Sequence, residues 1–310
     1  MLLSRVADSL FWGARYLERA EDTARVVRAY TEALVDLPTT VTSSWEPLLA
    51  MSGNRDAFDA AHDHPAEEDV VAFLVADEAN PGSVASSIAS SRENLRTTRE
   101  VFPREAWQTL NDLFLYMSSN AEAGVNRRSR SRVLHRVICD SLLVDGVLTA
   151  TMNRDEAYEV WRLGQSIERA DMTTRVLGVR AAALLAQPAA ADDHDEVQWM
   201  GVMRSLSALQ MYQLATRGPI SGRGAVHFLL HEQRFPRSVA ASVQRIRDAF
   251  SNLPHSERTL KAVDEIETLL RGLPVELDDG LALDAAMDQV QVALFALAEV
   301  ATATFVRSVD

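Results

Sequence analysis

The residues best placed to do chemistry lie in two short charged blocks. Leu17-Glu18-Arg19-Ala20-Glu21-Asp22-Thr23-Ala24-Arg25-Val26 comes back 150 positions later as Ile167-Glu168-Arg169-Ala170-Asp171-Met172-Thr173-Thr174-Arg175-Val176. Neither block contains Gly or Pro, so both read as helix, and a wheel at about 100° per residue places their side chains. On it Glu18 and Arg25 fall within about 20° of each other, two turns apart, with Glu21 between them, while Arg19 points about 100° away toward another neighbour. The second block repeats this with Glu168, Asp171 and Arg175 on one side and Arg169 beside it. Leu10, Phe11, Ala14 and Leu17 flank Glu18, and Val160, Trp161, Gly164 and Ile167 flank Glu168, so both glutamates border a buried face. A carboxylate removed from water costs several kcal/mol unless a cation compensates it. Arg25 and Arg175, seven residues on, are expected to do so. Three chemistries fit: an ion-pair network that fixes helix registry, bidentate recognition of a partner's carboxylate or phosphate by the arginines, and acid–base work by the glutamates.

Other candidates are sparser. Arg127, Arg128, Arg132 and Arg136 make the densest positive patch, with the last three spaced as a stripe along one helix face. That face can seat an anion or an acidic partner, or be solvated or paired internally. His227 and His231 sit four apart with Glu232 beside them, a spacing that suits zinc, but the matching first-half positions are Ala72 and Ala76. No Glu-x-x-His pair of the di-iron bundles, Walker loop, dinucleotide-binding glycine pattern, nucleophile elbow or Cys–His pairing is present. No catalytic residue, metal site or cofactor is assigned.

The elements that must position these residues are helices. With 13 Gly and 10 Pro in 310 residues, and Ala, Leu, Glu and Arg abundant, the chain reads as all-α. Helices are expected over about Leu2 to Leu34, Trp45 to Met51, Asp69 to Asp77, Ser83 to Val101, Pro103 to Ser118 and Arg127 to Thr151, with a loop over Ala57 to Glu68. Asn80 is expected to cap the helix that follows it. The second half carries a Glu-Arg helix to about Leu185, a linker over Gln187 to Glu196, a helix over Trp199 to Ala215, another through Leu269, and a last one from Leu281 to Phe305. A second echo supports a copy: Pro81-Gly82-Ser83-Val84-Ala85 returns as Pro236-Arg237-Ser238-Val239-Ala240, offset by 155. The expected architecture is a tandem duplication of a five- to six-helix unit, residues 1–152 and 153–310, forming two packed helical bundles with pseudo-two-fold symmetry.

A net charge of −13 argues against a general nucleic-acid binder. The single cysteine, Cys139, cannot form an internal disulfide and reads as a buried small hydrophobe in a reducing, cytoplasmic setting. The N-terminal residues lack a signal-peptide layout, and Asp284, Asp288 and Glu299 interrupt the final apolar stretch, so no membrane span is expected.

Several stretches together resemble the alpha-E family, bacterial helical domains with a Glu-Arg motif typically found in tandem. They are Ser9-Leu10-Phe11-Trp12 before Leu17-Glu18-Arg19-Ala20, Ser91-Arg92-Glu93-Asn94, Pro103-Arg104-Glu105-Ala106-Trp107, Thr151-Met152-Asn153-Arg154-Asp155 before the second block, and Phe235-Pro236-Arg237-Ser238-Val239. The resemblance implies a context: peptide synthesis or modification beside circularly permuted ATP-grasp ligases, which join carboxyl to amino groups, transglutaminase-like proteins and an amino-terminal-nucleophile peptidase. It implies a non-catalytic partner or scaffold of the ligase, docking the enzyme or holding a peptide substrate. The alternative is an enzyme or substrate-binding protein in which Glu18 and Glu168 act on an acyl or peptide substrate.

Overall fold

The computed structural model describes residues 2–36, 44–185, 195–273 and 279–306, and every regular element among them is helical. The first helix, α1 (Ser4–Asp36), is about 50 Å long at 1.5 Å per residue. It is followed by α2 (Glu46–Ser52), α3 (Arg55–Asp59), α4 (Glu67–Val75), α5 (Val84–Arg96), α6 (Arg104–Val125) and α7 (Arg130–Thr151). Then comes α8 (Glu156–Val176), which runs through a π-helical turn, Leu177–Ala181, into α9 (Ala182–Leu185). The rest is α10 (Asp195–Ser205), α11 (Leu209–Thr216), α12 (Gly222–His231), α13 (Val239–Ser251), α14 (Glu257–Gly272) and α15 (Gly280–Ala301), closed by a π-helical turn over Thr302–Val306. Most of the linker expected over Gln187 to Glu196 falls outside the described residues.

Three expectations are corrected by local chemistry. The Asp- and His-rich stretch read as a loop holds the short α3, anchored by Phe58, which is fully buried. The helix expected over Trp199 to Ala215 is two helices, because Ser207 takes a left-handed φ of 53° that breaks the hydrogen-bond ladder. Asn80 does not cap a helix: its side chain donates to the Phe73 carbonyl and accepts from the Gly82 amide. Ser83 caps α5 instead, accepting from the Ser86 amide, as Ser238 caps α13 through the Ala241 amide.

The two helices that carry the charged blocks are the centre of the fold. α1 packs against α5, α7, α8 and α10, and α8 packs against α1, α13 and α15. Helices enclosed on several sides usually lack charge, so every charge they keep needs a partner inside the protein. They cross closely at Gly164, where a side-chain Cβ would collide with the Phe11 carbonyl oxygen and lie 3.2 Å from the Ala14 Cβ. Buried apolar residues from both sides of position 152, such as Leu10, Val27 and Leu74 with Trp161, Leu229 and Leu294, form one continuous core.

By length and composition alone, Gly280–Phe305 is long and apolar enough to cross a membrane, with a mean hydropathy of 1.4. Its Leu283, Met287, Val290, Leu294 and Leu297 face is buried in the core, while Leu281, Val292 and Phe295 are exposed.

Candidate functional site

Glu18 and Glu168 are each only 2% exposed, so the expectation that both are desolvated holds. Their partners are not the ones the wheel suggested. Seven residues span about 10.5 Å of helix axis, beyond an arginine's best reach, whereas residues four apart are neighbours. Arg25 accordingly pairs with Glu21 at 2.6 Å, and Arg175 with Asp171 at 2.8 Å. The glutamates are neutralised across the crossing, reciprocally. Arg169 of α8 binds Glu18 of α1 through Nε at 2.6 Å and Nη2 at 2.9 Å, and Arg19 of α1 binds Glu168 of α8 through Nε at 2.5 Å. The dipeptide spacing makes this possible: adjacent residues on a helix diverge by about 100°, so the acid points at the crossing partner's base while its own neighbouring base points back.

Beyond that shared exchange the two ends differ. At the Glu18 end, Arg237, just ahead of α13, lies 3.3 Å from Glu18, binds Glu21 at 2.6 Å and also donates to Asp22. Its backbone is held by Thr173, whose hydroxyl donates to the Arg237 carbonyl at 2.9 Å. Arg25 completes the cluster and donates to the Ser207 hydroxyl in the break between α10 and α11. Three arginines meet three carboxylates here, and the Glu18, Asp22, Arg169 and Arg237 side chains are at most 9% exposed.

At the Glu168 end, Arg15 replaces the role of Arg237, donating from Nε to Glu168 at 2.8 Å. Arg175 reaches the Met51 carbonyl at 3.4 Å, at the end of α2. Met172 stands where the first block has Asp22, so three arginines meet only two carboxylates. Arg15, Arg19 and Arg175 stay 14%, 27% and 30% exposed. They line a cleft of about 310 Å³ with Ile167, Asp171, Gln291, Val292, Leu294 and Phe295. Arg15 and Arg19 each engage Glu168 through Nε, and their terminal Nη groups make no hydrogen bond among the described residues.

The electrostatics follow this geometry. Burial alone would raise the pKa of Glu168, but the charges of Arg19 and Arg15 and their hydrogen bonds overrule it and hold the carboxyl at about 2. Glu18 is likewise held below the usual carboxylate range, against its burial, by Arg169 and Arg237. Asp22 goes the other way: burial, with Glu18 and Glu21 adjacent, outweighs Arg237 and Arg169 and pushes its carboxyl up to about 8. Its Oδ2 is buried without a hydrogen-bond partner.

The basic patch does not form the expected stripe. Arg128 lies in the turn before α7, so only Arg132 and Arg136 share the helix. Arg127, Arg128 and Arg132 are exposed, and Arg136 pairs with Asp140 at 2.5 Å. Arg130, in the middle of the run, is the buried one: it binds Glu67 at 2.8 Å and the Val125 carbonyl at 2.9 Å, with its guanidinium 5.5 Å from the Trp45 ring. His227 and His231 lie side by side, with ring centroids 5.2 Å apart, and burial and His227 lower the pKa of His231. No group of three or more His, Cys, Asp or Glu able to hold a metal occurs among the described residues. Cys139, read as buried and without a histidine partner, is exposed and its Sγ lies 3.5 Å from His135 Nε2, because α7 turns that face outward and places residues four apart side by side.

The sequence reading missed Arg15, Arg130 and Arg237. The third had a signal: of the two Pro-x-Ser-Val-Ala segments, one has Gly82 and the other Arg237 at the second position.

A family model described as "a predicted alpha-helical domain with a conserved ER motif", Alpha-E, matches residues 2–306. The chain belongs to the Alpha-E family. The Glu18-Arg19 and Glu168-Arg169 dipeptides that exchange partners at the crossing are two Glu-Arg pairs within that span. The chain is similar to an uncharacterized protein of Mycobacterium bovis, 26% identical over 97% of this chain and 36% of the relative. An uncharacterized protein of Mycobacterium tuberculosis strain H37Rv is 25% identical over the same shares. The chain therefore spans about a third of the length of the curated relatives it matches. No solved structure matches it at a significant level.

Proposed function

We propose that this Alpha-E protein is a non-catalytic helical partner of an ATP-grasp carboxylate–amine ligase in peptide synthesis or modification, and that the Glu168 end of the α1–α8 crossing is its recognition site. In this reading the chain is a duplicated unit with pseudo-two-fold symmetry. One end of the shared crossing has closed into a structural clamp; the other stays open to a partner. The cytoplasm is the compartment such a ligase system implies.

The observation that carries the reading is the state of the three arginines at the open end. They are ordered by Glu168 and Asp171 and line a cleft, and the Nη groups of Arg15 and Arg19 are left to bond a ligand there, while Arg175 also reaches the Met51 carbonyl. Guanidinium groups held this way recognise carboxylates at low entropic cost. The enzyme alternative fits less well. A general acid or base works best with a pKa near the operating pH, and Glu168, at about 2, stays ionised and saturated by two arginines.

The test is capture of the ligase from the native host and measurement of its turnover. Native protein is expected to co-purify with the ligase and change its rate, and Arg175→Gln to weaken both. No capture and no rate change would overturn the reading.

A further inference from the structure

We infer that the open cleft takes the C-terminal carboxylate of a peptide whose last residue is apolar. This rests on the recognition role proposed above and names the ligand class.

The charge count points to one monoanion. At the open end Glu168 and Asp171 face Arg15, Arg19 and Arg175, one carboxylate short, and the partly exposed guanidinium groups line a cleft; at the closed end Arg169 and Arg237 are enclosed by Glu18, Glu21 and the protonated Asp22, with no room for a further anion. A single carboxylate restores the balance, whereas a phosphate dianion overshoots it beside two resident acids.

The opposite wall supplies the second half of the ligand. Val292 and Phe295 on α15 are each 70% exposed and make an apolar surface next to the guanidinium groups, backed by the buried Ile167 and Leu294. Exposed large apolar side chains grouped beside fixed donors mark a binding surface rather than ordinary exterior. In a C-terminal residue the carboxylate and the side chain diverge from one carbon, so both reach their walls within the cleft's 310 Å³. An internal acidic residue would bring a peptide group on each flank, each needing hydrogen-bond partners on entering the cleft. Gln291 is the one uncharged polar side chain among the lining residues, enough for the single amide that precedes a terminal residue.

The experiment uses fluorescence anisotropy with the full chain and a fluorescein-labelled Gly-Ser-Ala-Leu peptide bearing a free terminal carboxylate. Its C-terminal amide and an amidated Gly-Ser-Glu-Ala-Ser peptide are the comparisons. The acid is expected to bind at least about tenfold more tightly than either, the worth of one charge-assisted hydrogen bond. Phe295→Ser is expected to weaken the acid without moving Tm, and Arg175→Gln to erase the difference between acid and amide. Equal binding of acid and amide, equal binding of the internal glutamate peptide, or no binding of the acid at millimolar concentration would overturn the inference. Ligase capture that still depends on Arg175 would then leave the recognition role standing; loss of both would remove both.

Discussion

The two ends of the α1–α8 crossing start from nearly the same ten-residue pattern and finish differently. At one, Glu18 sits under Arg169 and Arg237 with Glu21 and Asp22 alongside, and the cluster is closed to solvent. At the other, Glu168 is held by Arg15 and Arg19, and the cleft beside them is open. Three positions produce the contrast: Asp22 against Met172, Arg237 against Gly82, and Arg15 against Gln165. A buried ion pair is weak evidence of net stabilisation, since desolvation consumes most of the Coulomb gain, but breaking one side of it is costly. The difference therefore lies in what each end loses when a partner is removed.

The largest expected effect tests that directly. Arg169→Met leaves Glu18 enclosed with only Arg237 at 3.3 Å, and is expected to cost about 3–5 kcal/mol in urea unfolding. Arg19→Met leaves Glu168 with Arg15 and an open cleft from which water can enter, and is expected to cost about 1 kcal/mol. Equal losses would abolish the distinction between clamp and open site.

Gly164→Ala acts on both ends at once by pushing the crossing helices apart at Phe11 and Ala14. A loss of about 1–3 kcal/mol is expected, the usual cost of overpacking. An unchanged melting temperature would show that the crossing yields easily and that the ion pairs do not depend on its spacing.

Asp22 sharpens the comparison through pH. Its carboxyl is raised from the ordinary 3.8 to about 8 in the folded protein, so the folded state keeps a proton that the unfolded chain releases. Its contribution is complete below about pH 4 and is lost as pH rises through about 8, at up to ~1.4 kcal/mol per pH unit. Glu168 runs opposite: held at about 2, it contributes above its ordinary 4.5 and loses that contribution only as pH falls toward 2. Asp22→Asn keeps the acceptor for Arg237 and removes the titration. Its Tm relative to native protein is expected to rise between pH 5 and pH 8; a pH-independent difference would mean that Asp22 is ionised throughout.

Much of this was readable from residues alone, for definite reasons. The charge block that occurs twice was a recognisable string, each glutamate and arginine in it having a fixed partner in the structure, and the helical content followed from composition. Glu18 and Glu168 were placed at a buried border from the apolar residues around them. The wheel failed at the pairing. A single helix can predict contacts within itself, such as Arg25 with Glu21, but the exchange of Arg19 and Arg169 depends on the crossing at Gly164, set by residues about 150 positions apart. Arg130 and Arg237 escaped because burial of an arginine is decided by what surrounds it: Trp45 and Glu67 in one case, three acids of α1 in the other. Ser207 likewise carries no local signal for its left-handed turn.

The reciprocal exchange also imposes an order on biosynthesis. Glu18 is made 151 residues ahead of the arginine that neutralises it, which at about 5–20 residues per second is a wait of roughly 8–30 s. Through that interval Glu18 lacks the cross-helix arginine that neutralises it, and a carboxylate without a partner favours water over burial. The pairing of those two helices therefore waits on synthesis of α8.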